Sequence, residues 1–306
     1  MTETNDLYGT IKSCVGGLYT VINKNGERIS ARARGSFRYE KTSPLAGDNV
    51  LLHKEKDSFV IDKIAERKSS LLRPPIANLD TLFVSFAATD PEPNLVCVDK
   101  LLCVAEAAKV GVAIVITKSD LSASLTEKYK TIYEKAGYPV FVTSSEKGEG
   151  LEKVKEFIAN GGTGKIYAFA GASGIGKSSI MNALFPGLSL KTGSLSEKIS
   201  RGKQTTRTVE LFPVAFSQEE TVFVADTPGF SALEFTALSG FHKEDLAATF
   251  PEFERFKENC RWRDCTHTKD GDCAIIEAVE RGDIAKERHD SFLLMYDELA
   301  KIPNWK

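Results

Sequence analysis

Residues 165–184 read KIYAFAGASGIGKSSIMNAL. Residues 165–170 have strand character, and 178–184 are compatible with a helix. Between them lies Gly171-Ala-Ser-Gly-Ile-Gly-Lys177-Ser178, which fits G-x-x-x-x-G-K-[ST] without mismatch. Glycines at these positions let backbone N–H groups converge on phosphate oxygens, and the helix N-terminus adds positive potential. The expected phosphate-binding residues are Gly171, Ala172, Ser173, Gly174, Ile175, Gly176, Lys177, Ser178 and Ser179. Lys177 would reach the β- and γ-phosphates, and Ser178 would ligate Mg²⁺.

Working outward, the chain from Asp80 alternates between strands and helices. Residues 82–87, 112–117 and 140–143 are apolar strand runs, while 96–110, 125–136 and 151–159 have helical spacing. Such alternation predicts a parallel sheet covered on both faces. Residues 210–216 and 221–225 read as an antiparallel pair.

Thr117-Lys118-Ser119-Asp120 directly follows a buried strand, at the edge where open α/β sheets bind ligands. It has the form of an N/T-K-x-D base-reading loop, with Thr117 where Asn is commoner. A carboxylate at Asp120 can accept from guanine N1–H and N2–H₂, a pair of donors that adenine lacks. The stem of Lys118 can lie along the base. Asp226-Thr227-Pro228-Gly229 resembles a D-x-x-G switch: Asp226 would hold Mg²⁺ through water, and the Gly229 N–H would touch the γ-phosphate. The polar segment Gly202-Lys-Gln-Thr-Thr-Arg207 lies between. Thr205 or Thr206, with Thr206 preferred, would complete the Mg²⁺ shell and order the segment with bound nucleotide. The base-reading loop precedes the glycine-rich loop, and the D-x-x-G segment comes last. This order requires a circularly permuted chain, in which whatever follows Gly229 is joined covalently to the switch.

Residues 1–66 carry short alternating runs (8–14, 18–22, 29–33, 50–53 and 59–64) with an Asn25-Gly26 hairpin signal, which fits a small five-stranded barrel of OB or SH3-like type. A basic, aromatic-interleaved segment includes Arg32, Arg34, Phe37 and Arg38, and these are the expected RNA contacts. Glu27 and Glu40 dilute it. Residues 67–79, with Pro74-Pro75, read as a linker, 80–235 as the nucleotide domain, and 236–306 as a helical module. In that module, Cys260-x₄-Cys265-x-His267-x₅-Cys273 offers three thiolates and an imidazole, a closed set for one structural Zn²⁺ that leaves no open position for catalysis. Cys14, Cys97 and Cys103 read as small buried hydrophobes.

Composition excludes several classes. The 306 residues are 42 % hydrophobic and 27 % charged, so the chain is not disordered overall. A net charge of −2 makes any nucleic-acid contact a local one. No apolar run is long enough for a membrane helix, and 1–7 lacks the marks of a signal peptide. A cytoplasmic location is expected.

Barrel, permuted nucleotide domain and Cys/His module, in that order, resemble the ribosome-small-subunit-dependent GTPase A family (RsgA/YjeQ type). The matching stretches are Arg34-Gly-Ser-Phe-Arg38, Ala77-Asn-Leu-Asp80, 117–121, 144–151, the glycine-rich loop, 202–211, 226–230 and 260–273. The resemblance implies a multidomain α/β protein: an OB-like barrel, a circularly permuted P-loop GTPase domain and a zinc-binding helical module. It implies GTP hydrolysis with Mg²⁺, binding to the 30S subunit and 16S rRNA during late subunit maturation, and a monomer off the ribosome. Ser144-Ser145 would form the second guanine-contacting loop, Ser145 standing where Ala is common. Two positions depart from other patterns. Phe230 follows D-T-P-G where Ras-like enzymes carry the water-orienting Gln, as is typical of this family. Gln204 replaces the family's usual His, and it is expected to position the attacking water. Single-turnover hydrolysis by Gln204→Ala with ribosomes tests this, and an unchanged rate rejects it. Two other readings stay open: an RNA-binding switch with negligible turnover, and a GTPase whose barrel and metal module bind protein.

Overall fold

The computed structural model describes residues 7–39, 42–72, 74–185, 209–215, 221–226, 235 and 241–302. Thr205, Thr206, Gln204, Gly229 and Phe230 lie outside these residues.

Strands β1 (Leu7–Val15), β2 (Leu18–Asn23), β3 (Arg28–Ala33), β4 (Asn49–Glu55) and β5 (Ser58–Ile64) close into a barrel of order β1-β2-β3-β5-β4, with the short helix α1 (Ser36–Tyr39) after β3. Every pairing is antiparallel except β3 with β5. Alternate residues point inward: Ile11, Val21, Ala31, Leu52 and Ile61 are each at most 1 % exposed. This is the OB arrangement rather than the SH3-like one.

Residues 67–79 are built into the core. Strands β6 (Ser70–Leu72) and β7 (Pro75–Ala77) form a hairpin, and Leu71, Ile76 and Leu79 are buried among the side chains of the following sheet. The barrel grips this segment. Arg67 donates from Nε and Nη2 to the fully buried Asp48 carboxylate at 2.7 and 2.8 Å. Gly47 has φ 91°, and a Cβ there would meet the Ala77 carbonyl at 2.0 Å.

The central domain contains β8 (Thr81–Ala87), α2 (Leu95–Ala107), β9 (Gly111–Thr117), α3 (Ala123–Lys135), β10 (Val140–Val142), α4 (Leu151–Asn160), β11 (Ile166–Ala170), α5 (Lys177–Leu184), β12 (Glu210–Ala215) and β13 (Thr221–Asp226). Strand order is β10-β9-β8-β11-β13-β12, parallel except for the edge strand β12. The central strands are nearly continuous apolar runs because both faces are covered. α2 and α3 pack over one face; α4 and α5 pack over the other, where Phe83 stacks on Phe169 at 4.7 Å. The chain runs outward from β8 to β10, then returns to β11 beside β8. The sheet therefore reverses direction between β8 and β11, which places the ligand crevice at their carboxyl ends.

The last segment combines 3₁₀ turns at Lys243–Thr249 and Pro251–Arg255 with α6 (Ala274–Glu280) and α7 (Lys286–Ala300). Its core, including Phe250, Phe253, Ile275, Phe292 and Met295, reaches Cys103 on α2. Cys103 is thus the small core residue expected. Cys97 is not: it is exposed on α2, and Cys14 is half-buried. Cys97 lies on the solvent side of α2, whereas Leu95 and Val96 just before it are half-buried against the core and Val98 just after it is buried. No helix among the described residues is long and apolar enough to cross a membrane.

Candidate functional site

β9 delivers Thr117 to the crevice with 2 % exposure. Its hydroxyl donates to the Ile175 carbonyl at 2.6 Å and lies 3.3 Å from the Phe86 carbonyl. The loop after β9 is thereby tied to the glycine-rich loop after β11. Threonine suffices for this tie, although Asn is commoner at the position. Lys118 adopts a left-handed conformation (φ 52°, ψ 38°), and its ammonium donates to the Asp90 carbonyl beyond β8.

Asp120 follows in a short turn. The Ser119 N–H donates to the Thr143 carbonyl at 3.2 Å, which fixes this loop against the one after β10. The Ser144 hydroxyl is the chief cause holding the Asp120 carboxyl below its ordinary range, with Lys147 and Lys118 adding their charge. Ser144 is fully buried, and its backbone exchanges two hydrogen bonds with Glu149. Ser145 stands beside it, half-buried. An ionised carboxylate on the loop that borders the crevice suits a ligand that presents paired N–H donors.

The glycine-rich loop has the backbone its sequence requires. At Gly171 (φ 143°), a Cβ would meet the Ser85 carbonyl at 2.0 Å. Gly174 and Gly176 have φ of 79° and 94°, and Gly176 caps α5. Ile175 is buried and anchors the loop, while Ala172, Ser173 and Gly174 face solvent. Lys177, Ser178 and Ser179 form the first turn of α5. The Lys177 ammonium donates to the carbonyls of Gly171 and Ala172, both at 2.6 Å, so it lies across the loop.

Burial pushes the Lys177 ammonium down to about 8. A bound phosphate favours the charged form and raises it again. Affinity for a nucleoside triphosphate should therefore fall as pH rises through about 8, by at most about tenfold per pH unit. Calorimetry at pH 8.5–9 in buffers of different ionisation enthalpy should show proton uptake on binding. Proton release, or affinity flat to pH 10, would contradict this.

The sheet register sets Asp226 at the end of β13, opposite Glu210 and one strand from the root of the glycine-rich loop. The two candidate switch segments, 202–207 and 226–229, adjoin this end of β12 and β13 in sequence.

Cys260, Cys265, His267 and Cys273 converge, with their donor atoms all within 4.8 Å of one another. His267 Nδ1 is 3.6 Å from both Cys260 Sγ and Cys273 Sγ. Zinc bonds of about 2.3 Å to sulfur and about 2.05 Å to nitrogen, at the tetrahedral angle, give an S···N edge of roughly 3.6 Å. The donor set therefore fits a tetrahedral metal. Burial lowers the His267 pKa, which favours the neutral imidazole that a metal needs. His289 Nε2 lies 2.8 Å from the His267 carbonyl, and the Phe253 ring meets the imidazole edge-on.

The barrel candidates divide. Arg32 is exposed on β3. Arg34 is ion-paired with Asp62 and lies near Glu55. Phe37 is corrected: at 8 % exposure, its ring belongs to the barrel core and cannot stack on a base. Its aromatic character signalled packing in the barrel core rather than a binding face. The side chain of Arg38 lies outside the described residues.

Sequence reasoning passed over three features. Trp262 is 53 % exposed between two candidate metal ligands, Cys260 and Cys265, and the Arg261 guanidinium sits 5.1 Å from its ring centre. An indole between two arginines was a legible signal for stacking. Arg288, 1 % exposed, joins the last segment to α2. It donates to Asp99 at 2.7 Å and to Glu252 at 2.7 and 3.2 Å, beneath the Phe250 ring. Lys12 reaches from the barrel to Glu210. Neither ion-paired residue has a local motif, because its partners are distant in sequence.

A family model described as RsgA GTPase matches residues 64–236, and one described as RsgA N-terminal domain matches residues 8–59. A relative from Caldanaerobacter subterraneus subsp. tengcongensis, named small ribosomal subunit biogenesis GTPase RsgA, is 41 % identical over 298 residues, covering 96 % of each chain. A relative of the same name from Bacillus velezensis is 38 % identical, covering 96 % of this chain and 97 % of its own. Among solved structures, YjeQ from Thermotoga maritima superposes with a TM-score of 0.81 at 32 % identity, over 97 % of this chain and 100 % of that one. YloQ, described as a circularly permuted GTPase, gives 0.77 at 32 % identity, over 100 % and 99 %.

Proposed function

The chain belongs to the RsgA GTPase family, and on that premise we propose that this GTPase acts as a ribosome-dependent switch in late maturation of the small (30S) ribosomal subunit. The observation that carries the nucleotide part is the Thr117–Ile175 bond: it joins the base-reading and phosphate loops across the reversal of the sheet. Asp120, with Lys118, selects guanine, and Ser144-Ser145 closes the base pocket. Residues 171–179 hold the phosphates. Ser178, Thr206 and Asp226 would hold Mg²⁺, which neutralises charge on the phosphate oxygens. Water attacks the γ-phosphate in line. Lys177 and the loop N–H groups, with the Gly229 N–H, take up the charge that develops. Gln204 positions that water.

The Cys₃His set holds one Zn²⁺ that fixes the module's fold. Chelation of the zinc-loaded protein should abolish hydrogen-exchange protection across 260–273 while the barrel and sheet keep theirs. Cobalt substitution should give thiolate-to-metal absorption. Unchanged protection after chelation would contradict the assignment.

RNA contact rests on Arg32 and Arg38 of the barrel, with Arg34 contributing only where Asp62 releases it. Arg261 and Trp262 of the metal loop add a second contact. The protein acts in the cytoplasm, as a monomer when off the ribosome. Co-sedimentation with purified 30S subunits and GTP should weaken steeply between 50 and 200 mM salt, as phosphate contacts do. Salt-independent binding would favour a protein partner.

A further inference from the structure

The first strand of the barrel breaks its regular pairing at one residue. β1 pairs with β2 through Ile11↔Val21 and then Ser13↔Thr20, so Lys12 is the extra residue of a bulge. Ile11 before it points into the barrel, so Lys12 points outward, away from the barrel core and onto β12 of the nucleotide domain. The ammonium donates to Glu210 Oε1 at 2.5 Å and stands 5.3 Å from the centre of the Phe212 ring. The Lys12 side chain is 8 % exposed and that of Glu210 44 %. Burial of an ammonium is costly without a partner, so the pair is a fixed joint rather than a loose surface contact.

Its location gives the joint a role. Glu210 is the first residue of β12, and its partner across the ladder is Asp226, the last residue of β13. Segment 202–207 enters the sheet just before Glu210, and the D-T-P-G stretch leaves it at Asp226. Lys12 thus holds the point where both candidate switch segments are rooted, and it does so from the domain proposed to contact RNA.

We propose that Lys12 is a positioning residue for hydrolysis supplied by the barrel. Its ion pair with Glu210 fixes the root of the switch segments to the barrel, so that engagement of the barrel with RNA reaches the hydrolytic site. This rests on the reading of the chain as a ribosome-stimulated GTPase. It goes beyond that reading in assigning the route to one charge pair between domains.

Two variants test it. Lys12→Met keeps the length of the stem and leaves Glu210 free to be hydrated, so folding should survive. Lys12→Glu combined with Glu210→Lys restores the pair with reversed sign. GTP hydrolysis is measured with and without purified 30S subunits, and GTP affinity alongside. For Lys12→Met, the fold-stimulation should drop to less than one fifth of the wild-type value. GTP affinity should change less than twofold, because Lys12 touches none of the nucleotide loops. The reversed pair should recover at least half of the stimulation. Full stimulation in Lys12→Met, or no recovery in the reversed pair, overturns the proposal. If the wild-type protein shows no stimulation, the ribosome reading fails, and hydrogen exchange judges the joint alone. Amides at 210–212 should then exchange at least tenfold faster in Lys12→Met, and unchanged exchange would overturn it.

Discussion

Asp120→Asn should weaken GTP binding by roughly 10²–10⁴-fold and shift preference toward xanthosine triphosphate. Losing each charge-assisted hydrogen bond from guanine N1–H and N2–H₂ to the carboxylate costs roughly ten- to a hundredfold in affinity, and two are lost together. The carboxylate is already held ionised by the Ser144 hydroxyl and two lysines, so the wild-type protein needs no proton rearrangement to accept the base. An amide in its place offers one acceptor and one donor. Xanthine has a carbonyl where guanine has its amino group, so the new donor finds a partner there. Fluorescent-nucleotide titration with GTP, XTP and ATP analogues checks this. A loss below tenfold for GTP, or no gain for XTP relative to GTP, would mean that Asp120 does not read the base.

Arg288→Ala should destabilise the junction between the last segment and α2 by about 3–5 kcal/mol. Removing one member of a buried ion pair strands its partners, which costs far more than the intact pair contributes. Burial works against the charge of Arg288, but Asp99 and Glu252 hold the guanidinium well above its ordinary range. Both carboxylates are at most 2 % exposed. Burial already raises the Asp99 carboxyl, against the pull of Arg288. Without Arg288, the Asp99 carboxyl would bind its proton more tightly folded than unfolded. The stability of the variant is then fullest below the ordinary carboxylate range and is lost as pH rises. Its deficit against wild type should therefore be largest at pH 8 and shrink toward pH 4–5. Hydrogen exchange in α7 at several pH values reads this, and a deficit under 1 kcal/mol or one growing at low pH would contradict it.

How much of this was legible in the sequence follows from the range of each signal. The glycine-rich loop, the T-K-S-D loop and the Cys/His set are local, and each residue type there answers a local demand. Gly171 has no room for a Cβ, and His267 and the cysteines must meet within one turn-rich stretch. The permuted sheet was legible because apolar strands and amphipathic helices keep their periods in any chain order. The hairpin at 67–79 was not, since two three-residue strands carry no period and Pro74-Pro75 reads as a break. Phe37 misled because a basic, aromatic run looks alike whether its ring faces base or core. Arg288 and Lys12 were invisible because their partners lie 189 and 198 residues away in sequence.

The most direct test of the central claim is GTP hydrolysis by the purified, zinc-replete protein with and without 30S subunits, with 50S subunits as control. The account predicts slow hydrolysis alone, strong stimulation by 30S and none by 50S. Tight GTP binding with no stimulation by 30S, or equal stimulation by both subunits, would contradict it.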